Sequence, residues 1–321
     1  MIEVSNLSVR YGTHQILDIK NLQISTSKTT ALLGSNGSGK STLIRCLSHL
    51  EKPTCGVIKI WGKERLRLNE LRDISVLLPE PMLLKRSVRA NFEFALKSRG
   101  NLDKFKAYVG EALALVGLDE SFLVKKHYEL SSGQTQRVAF ALLLCLRSRL
   151  NLLDEPTNAV DIATARLFAK AIEYAKAQYK SGFIIASHDE KWLSAISKES
   201  VFLHQGRVSE FEIKNIFSAA NGTVECGDGV RFVLPKTLKA SSKVAINQNL
   251  INLSFAHING YFGGILHSVS LIYTDKILIK IKVGSILLKC VKERKEFSQD
   301  RLITGDKIYF SIPNEAFLSL E

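Results

Sequence analysis

The sequence predicts an α/β protein followed by a small all-β module, and three observations carry that prediction. Up to about residue 215, short apolar runs at 30–33, 150–153 and 183–186 alternate with longer helical patterns. Such alternation builds a largely parallel sheet with helices packed on it. A glycine-rich segment, Gly34 to Ser41, stands between one of those runs and a helical stretch. Beyond residue 221 the helical periodicity thins out and two-residue alternation takes over.

Each element follows from its own residues. Val109, Leu113 and Val116 lie at i, i+4 and i+7, which places them on one face of a helix. In the tail, Ile277, Ile279, Ile281 and Val283 alternate with Leu278, Lys280 and Lys282, the pattern of a strand with one apolar face. Turns expected at Gly227-Asp228-Gly229 and Gly305-Asp306 separate further strands at 230–234 and 307–312. A chain of 321 residues, 45% hydrophobic and 23% charged, holds enough apolar material for two domains. The expected boundaries are 1–221, with a helical subdomain at about 82–145, and 222–321.

Composition narrows the classes of function. The 44 Lys and Arg against 31 Asp and Glu give a net charge of +13. That excess suits nucleic acid, the anionic inner face of a membrane, or simply a basic, well-solvated surface. The cysteines, Cys46, Cys55, Cys145, Cys226 and Cys290, have neither metal-ligand nor redox spacing and read as reduced core thiols of a cytosolic protein. Met1-Ile2-Glu3-Val4 lacks the basic and apolar stretches of a signal peptide. The longest apolar run, 138–146, falls far short of the roughly 20 residues that span a bilayer, so the chain is not expected to be a membrane protein itself.

The chemistry starts at Gly34-Ser35-Asn36-Gly37-Ser38-Gly39-Lys40-Ser41, which fits G-x-x-x-x-G-K-[ST] between a strand and a helix expected at 41–50. Glycines let the backbone curl so that successive N–H groups converge on phosphate oxygens, assisted by the helix N-terminus. Lys40 supplies a compact positive charge for the β and γ phosphates, and the Ser41 hydroxyl can ligate Mg²⁺. Gly34 to Thr42 are thus the candidate binding residues for ATP. A chance match in a chain this long is on the order of one in a hundred, before the context is added. Downstream, the apolar run 150–153 ends in Asp154-Glu155. Both carboxylates are expected at the carboxyl edge of the sheet, where open α/β folds bind ligands. There Asp154 would hold Mg²⁺ through a water and Glu155 would polarise the attacking water.

Further motifs give a resemblance to ABC ATPases, covering residues 1 to about 215. Leu130-Ser131-Ser132-Gly133-Gln134 looks like the family's signature at the start of a helix. Asp154-Glu155-Pro156-Thr157-Asn158-Ala159-Val160-Asp161 resembles its acid pair running into the D-loop, and Ser187-His188-Asp189 its histidine switch. Tyr11 sits where the family stacks an aromatic on adenine. The resemblance implies an ABC-type P-loop ATPase domain whose signature (Ser131, Ser132, Gly133, Gln134) and Asp161 face the nucleotide held by a second copy. One P-loop and one signature imply a homodimer; His188 would contact the γ-phosphate beside Glu155. The arm at 82–130 would meet integral-membrane permease subunits.

Two departures stand out: Ser132 replaces the first of two glycines, and Pro79 stands where the family carries a glutamine ligand of Mg²⁺. No glutamine occurs between Gln23 and Gln134, so a water is expected in that position.

The tail resembles, more loosely, the small oligonucleotide-fold-like domain of importer ATPases for molybdate, tungstate, sulfate, iron and polyamines. Its anion-binding form carries Ser-Ala-Arg-Asn. Ala256-His257-Ile258-Asn259 lacks the serine and the arginine, so a structural or dimerising role is expected. The 77–88 loop looks most like ATPases of tungstate importers, with molybdate next. The expected function is therefore ATP hydrolysis that drives an anion importer. Its expected place is peripheral, at the cytoplasmic face of the inner membrane, served indirectly by an extracytoplasmic anion-binding protein and without nucleic acid. The competing class is a soluble ABC ATPase acting on ribosomes or DNA.

Overall fold

The chain begins with two long antiparallel strands, β1 (Ile2–Tyr11) and β2 (His14–Ile24), in which Ile2, Val4, Leu7, Val9, Leu17, Ile19, Leu22 and Ile24 are buried. In chain order there follow β3 (Thr29–Leu33), α1 (Lys40–Leu47), β4 (Cys55–Ile60), α2 (Leu68–Leu71), β5 (Ile74–Leu77), α3 (Val88–Ser98), α4 (Phe105–Leu115) and α5 (Ser132–Cys145). Next come β6 (Leu150–Asp154), α6 (Ile162–Tyr179), β7 (Gly182–Ala186), α7 (Glu190–Ile196), β8 (Glu199–His204) and β9 (Arg207–Ser209). β4 joins β1 and β2 in a three-stranded sheet of order β2-β1-β4.

The central sheet has the order β5-β6-β7-β3-β8-β9, with β5, β6, β7, β3 and β8 parallel. Every residue of β3, β6 and β7 is buried. That is what continuous apolar runs predict when both faces of a parallel sheet are covered. Alternate residues serve the two faces. Leu33, Leu153, Phe183 and Ile185 join a core with Phe92, Phe140 and Phe168. Leu32, Leu152, Ile184 and Ala186 join another with Leu17, Leu43 and Ile2. In α4, Val109 and Leu113 are buried, as their spacing predicts.

Two expectations need correction. The helix after the glycine-rich loop stops at Leu47 instead of residue 50, because His49 takes φ 58° and the N–H groups of Leu50 and Glu51 both turn back to the Arg45 carbonyl. Four cysteines are buried thiols, but Cys55 is exposed. It opens β4, where the first two residues are still outside the core.

The computed structural model describes residues 1–209, 215–271, 276–296 and 303–320, and the chain divides into two units, Met1–Val208 and Ser209–Glu321. The second unit is rich in strands. They are β10 (Asn215–Ser218), β11 (Thr223–Gly227), β12 (Val230–Val233), β13 (Lys243–Ile246), β14 (Asn252–Ser254), β15 (Phe262–Leu271), β16 (Lys276–Val283), β17 (Ile286–Glu293), β18 (Lys307–Ser311) and β19 (Phe317–Ser319). They pair as β10-β13-β19, β11-β12 and β14-β18-β15-β16-β17. Ile277, Ile279, Ile281 and Val283 of β16 all point into this unit's core, with Phe232 and Phe310.

Candidate active site

Parallel strands deliver their carboxyl ends to one edge, and the loops that follow β3, β5, β6 and β7 carry the candidate residues there. After β3 the chain enters the glycine-rich loop. Gly34 has φ +150°, and a Cβ on it would lie 2.2 Å from the Leu203 carbonyl oxygen, so only glycine fits. Lys40, the first residue of α1, is buried and its Nζ donates to the carbonyls of Gly34 (2.7 Å) and Ser35 (3.2 Å). The ammonium is thus held inside the curl of the loop, where a phosphate would sit. Burial pushes the Lys40 pKa down, against the pull of the Glu155 and Asp154 carboxylates. Ser35, Asn36 and Gly37 are exposed at the tip, whereas Ser38 is buried and its Oγ has no partner among the described residues.

β6 brings the acids alongside. Asp154 is 1% exposed; its carboxylate receives the Ser41 hydroxyl, while Oδ1 has no hydrogen-bond partner among the described residues. Burial raises its pKa, and Ser41, Arg45 and Lys40 oppose the rise. A buried carboxylate oxygen with nothing to bind is costly unless a cation or water completes it. The pair Asp154–Ser41, hard oxygen donors beside a phosphate loop, therefore fits Mg²⁺, which takes one or two protein oxygens and keeps waters.

Glu155 follows with φ +51° and binds its N–H to the Ala186 carbonyl at 2.8 Å. The His188 backbone N–H donates to Glu155 Oε2 at 3.1 Å, and His188 Nε2 lies 3.2 Å from Glu155 Oε1. Burial raises the Glu155 pKa; the His188 contacts oppose it. The structure thus joins Lys40, Ser41, Asp154, Glu155 and His188 at one sheet edge.

Tyr11 ends β1 half exposed, beside α1. Its hydroxyl donates to Glu51 Oε1 at 2.6 Å and lies against the Thr42 side chain. Glu51 is a neighbour that the sequence did not reveal, because it lies 40 residues from Tyr11 and belongs to no motif. Pro79 stands two residues past β5, whose Leu77 pairs with Leu153 of β6. That register carries the 78–81 loop to the same edge as Asp154.

The remaining candidates stand apart. Among the described residues, Ser131, Ser132, Gly133 and Gln134 make no hydrogen bond to the glycine-rich loop or the acid pair. They open α5 instead. Ser131 Oγ accepts from the Gln134 N–H and Gln134 Oε1 accepts from the Ser131 N–H, a reciprocal cap. The exposed Ser131 and Ser132 present the start of this helix to solvent. Asp161 caps α6 by accepting from the Thr164 N–H at 2.7 Å, a bond that lowers its pKa.

Comparison with known proteins fits this geometry. The family described as "ABC transporter" matches residues 17–158. The tungstate uptake system ATP-binding protein TupC of Campylobacter jejuni subsp. jejuni is 42% identical over 330 aligned residues, covering 100% of this chain and 94% of the relative. TupC of Peptoclostridium acidaminophilum is 34% identical over 210 residues, covering 65% of this chain and 97% of that one. Among solved structures, the dimeric post-hydrolysis state of the ATP-binding cassette MJ0796, bound to ADP and Pi, superimposes with a TM-score of 0.60 at 25% identity. It covers 65% of this chain and 97% of that chain.

Proposed function

The chain belongs to the ATP-binding subunits of ABC transporters and is an importer ATPase, and from that premise we propose that the ion it helps to import is tungstate. The observation that carries the proposal is the 42% identity to a tungstate uptake ATPase across the whole chain, strand-rich unit included. A test is to delete the gene and follow uptake of both oxyanions. Loss of tungstate uptake with molybdate uptake intact is expected; loss of molybdate uptake alone would transfer the assignment to molybdate.

For hydrolysis, the residues take the following roles. Backbone N–H groups of 34–42 and Lys40 hold the phosphates, with Tyr11 against the adenine. Asp154 and Ser41 are the residues that would hold Mg²⁺, which when bound supplies positive charge to the phosphates. Glu155, seated between the Ala186 carbonyl and His188, orients the attacking water, and His188 reaches the γ-phosphate from the same side. Two chains pair so that the α5 start (Ser131, Ser132, Gly133, Gln134) and Asp161 of one meet the nucleotide on the other. A helix N-terminus supplies donors suited to a γ-phosphate.

No described helix is long and apolar enough to cross a membrane. As an importer ATPase, the chain works on permease subunits. The arm offers a seat for them. A groove of about 580 Å³ is lined by Leu78, Met82, Leu83, Phe94, Leu142 and Leu146, with Met82 94% exposed. An extracytoplasmic anion-binding protein would act through the permease, leaving the ATPase peripheral on the cytoplasmic face.

A further inference from the structure

Glu155 occupies a conformation that its own sequence disfavours. A residue preceding proline is pushed toward extended backbone, and a non-glycine residue at positive φ is strained. Glu155 has φ +51° and is followed by Pro156. Such a conformation persists only where surrounding bonds over-determine it. On one side the Glu155 N–H is bound to the Ala186 carbonyl, and its own carbonyl receives the Asn158 N–H at 3.0 Å. The other side is held from α5. Gln136, 2% exposed, donates from Nε2 to the Pro156 carbonyl at 2.9 Å. One turn earlier on the same helix, Gly133 lies so close to the 156–161 loop that an added Cβ would come within 2.9 Å of the Ala159 carbonyl oxygen.

We propose that Gln136 is a positioning residue for hydrolysis: its bond to the Pro156 carbonyl locks Glu155 in the left-handed conformation that aims its carboxylate at the attacking water. The bond also makes α5 a strut between two reacting centres. The start of α5 meets the nucleotide on the second chain, and Gln136, one turn further, holds the catalytic glutamate of its own chain. A shift of α5 when the partner's nucleotide closes on it therefore reaches Glu155 through one hydrogen bond. This inference rests on the reading of Glu155 as the residue that orients the attacking water.

The test is a double-mutant cycle on the full chain, measured as single-turnover ATP hydrolysis, with nucleotide affinity followed by a fluorescent ATP analogue. Gln136→Met keeps the length and approximate volume of the side chain and removes the amide, and with it the donor to the Pro156 carbonyl. The expected result is a rate lower by about 10-fold or more, the scale at which small misplacements act, with analogue affinity changed by less than about threefold. In the Glu155→Gln background the same substitution should cost less than about twofold, because the group it positions is already gone. Gln136→His, which returns a ring N–H at similar reach, should recover part of the rate. A packing role would slow both backgrounds equally; that result, or Gln136→Met at the wild-type rate, overturns the inference. Glu155→Gln hydrolysing at the wild-type rate would overturn the reading of Glu155 and this inference with it. It is told apart from the other failures because it appears without any change at Gln136.

Discussion

The roles proposed for Glu155 and Lys40 belong to different parts of one reaction, so their replacements should separate. Glu155→Gln removes the carboxylate but keeps its shape and an acceptor for the His188 N–H. ATP binding should persist while hydrolysis falls by at least ~10², the lower end of what a positioned acid–base group contributes. Lys40→Ala removes the charge from the centre of the loop, and equilibrium binding of ATP should weaken instead. Paired binding and turnover measurements check both. A second residue-scale test concerns Glu111 of α4, which accepts from the Tyr174 and Tyr179 hydroxyls and from Arg147. The Arg147 guanidinium stacks 3.5 Å from the Tyr108 ring centroid. Burial alone would raise the Glu111 pKa, but these three donors outweigh it and hold the carboxylate below its usual range. A depressed carboxylate pKa contributes stability above the unfolded value, and that contribution is lost as pH falls through the folded one. Glu111→Gln should therefore destabilise the protein at pH 7 by about 1–3 kcal/mol. The gap in melting temperature should close below about pH 4.3, the unfolded value.

At the scale of elements, the loops after β3 and β5 carry separate tests. Gly34→Ala would push a Cβ into the Leu203 carbonyl oxygen at 2.2 Å, so the loop must open and ATP affinity should fall, read by nucleotide titration. The 78–81 loop presents Pro79, which has no side-chain ligand, to the edge that carries Asp154. Mg²⁺ readily keeps waters, and a bridging water costs about 0–2 kcal/mol, so hydrolysis should persist in the natural chain. Pro79→Gln should tighten Mg-ATP modestly, whereas Glu80→Ala should change it little. Isothermal titration with and without Mg²⁺ measures both, and a larger effect at Glu80 would place that carboxylate on the metal.

For the whole molecule, the proposed pairing of two chains can be tested directly. The two units have separate apolar cores, Phe140 and Phe168 in one and Phe232 and Phe310 in the other. Residues 1–208, the first unit, should therefore fold alone. With ATP and the Glu155→Gln change, that fragment should sediment as a dimer. Ser132→Arg, which fills the exposed start of α5, should return it to monomer. A fragment that stays monomeric with ATP would assign the main contact to the strand-rich unit.

What the sequence determined by itself is what is local along the chain. The glycine-rich loop, the apolar strand closed by Asp154-Glu155, and the capped start of α5 at Ser131 are contiguous, because backbone curls, strand ends and helix caps are built from neighbouring residues. The order of those motifs was enough to name the candidate site. Tertiary structure alone decided what joins residues far apart. It placed Gln136 on the Pro156 carbonyl, 20 residues away, and bound Glu51 to the Tyr11 hydroxyl. It also gathered Glu111, Arg147, Tyr174 and Tyr179, and left Cys55 outside the core. Each of those outcomes depends on which surfaces the parallel sheet brings together, and a side chain carries no periodicity or motif that names a partner on another element. The left-handed Glu155 shows the division most directly. Its identity was legible in the apolar run that leads into Asp154-Glu155, while its conformation is imposed by bonds from β7 and α5 against the preference of a residue before proline.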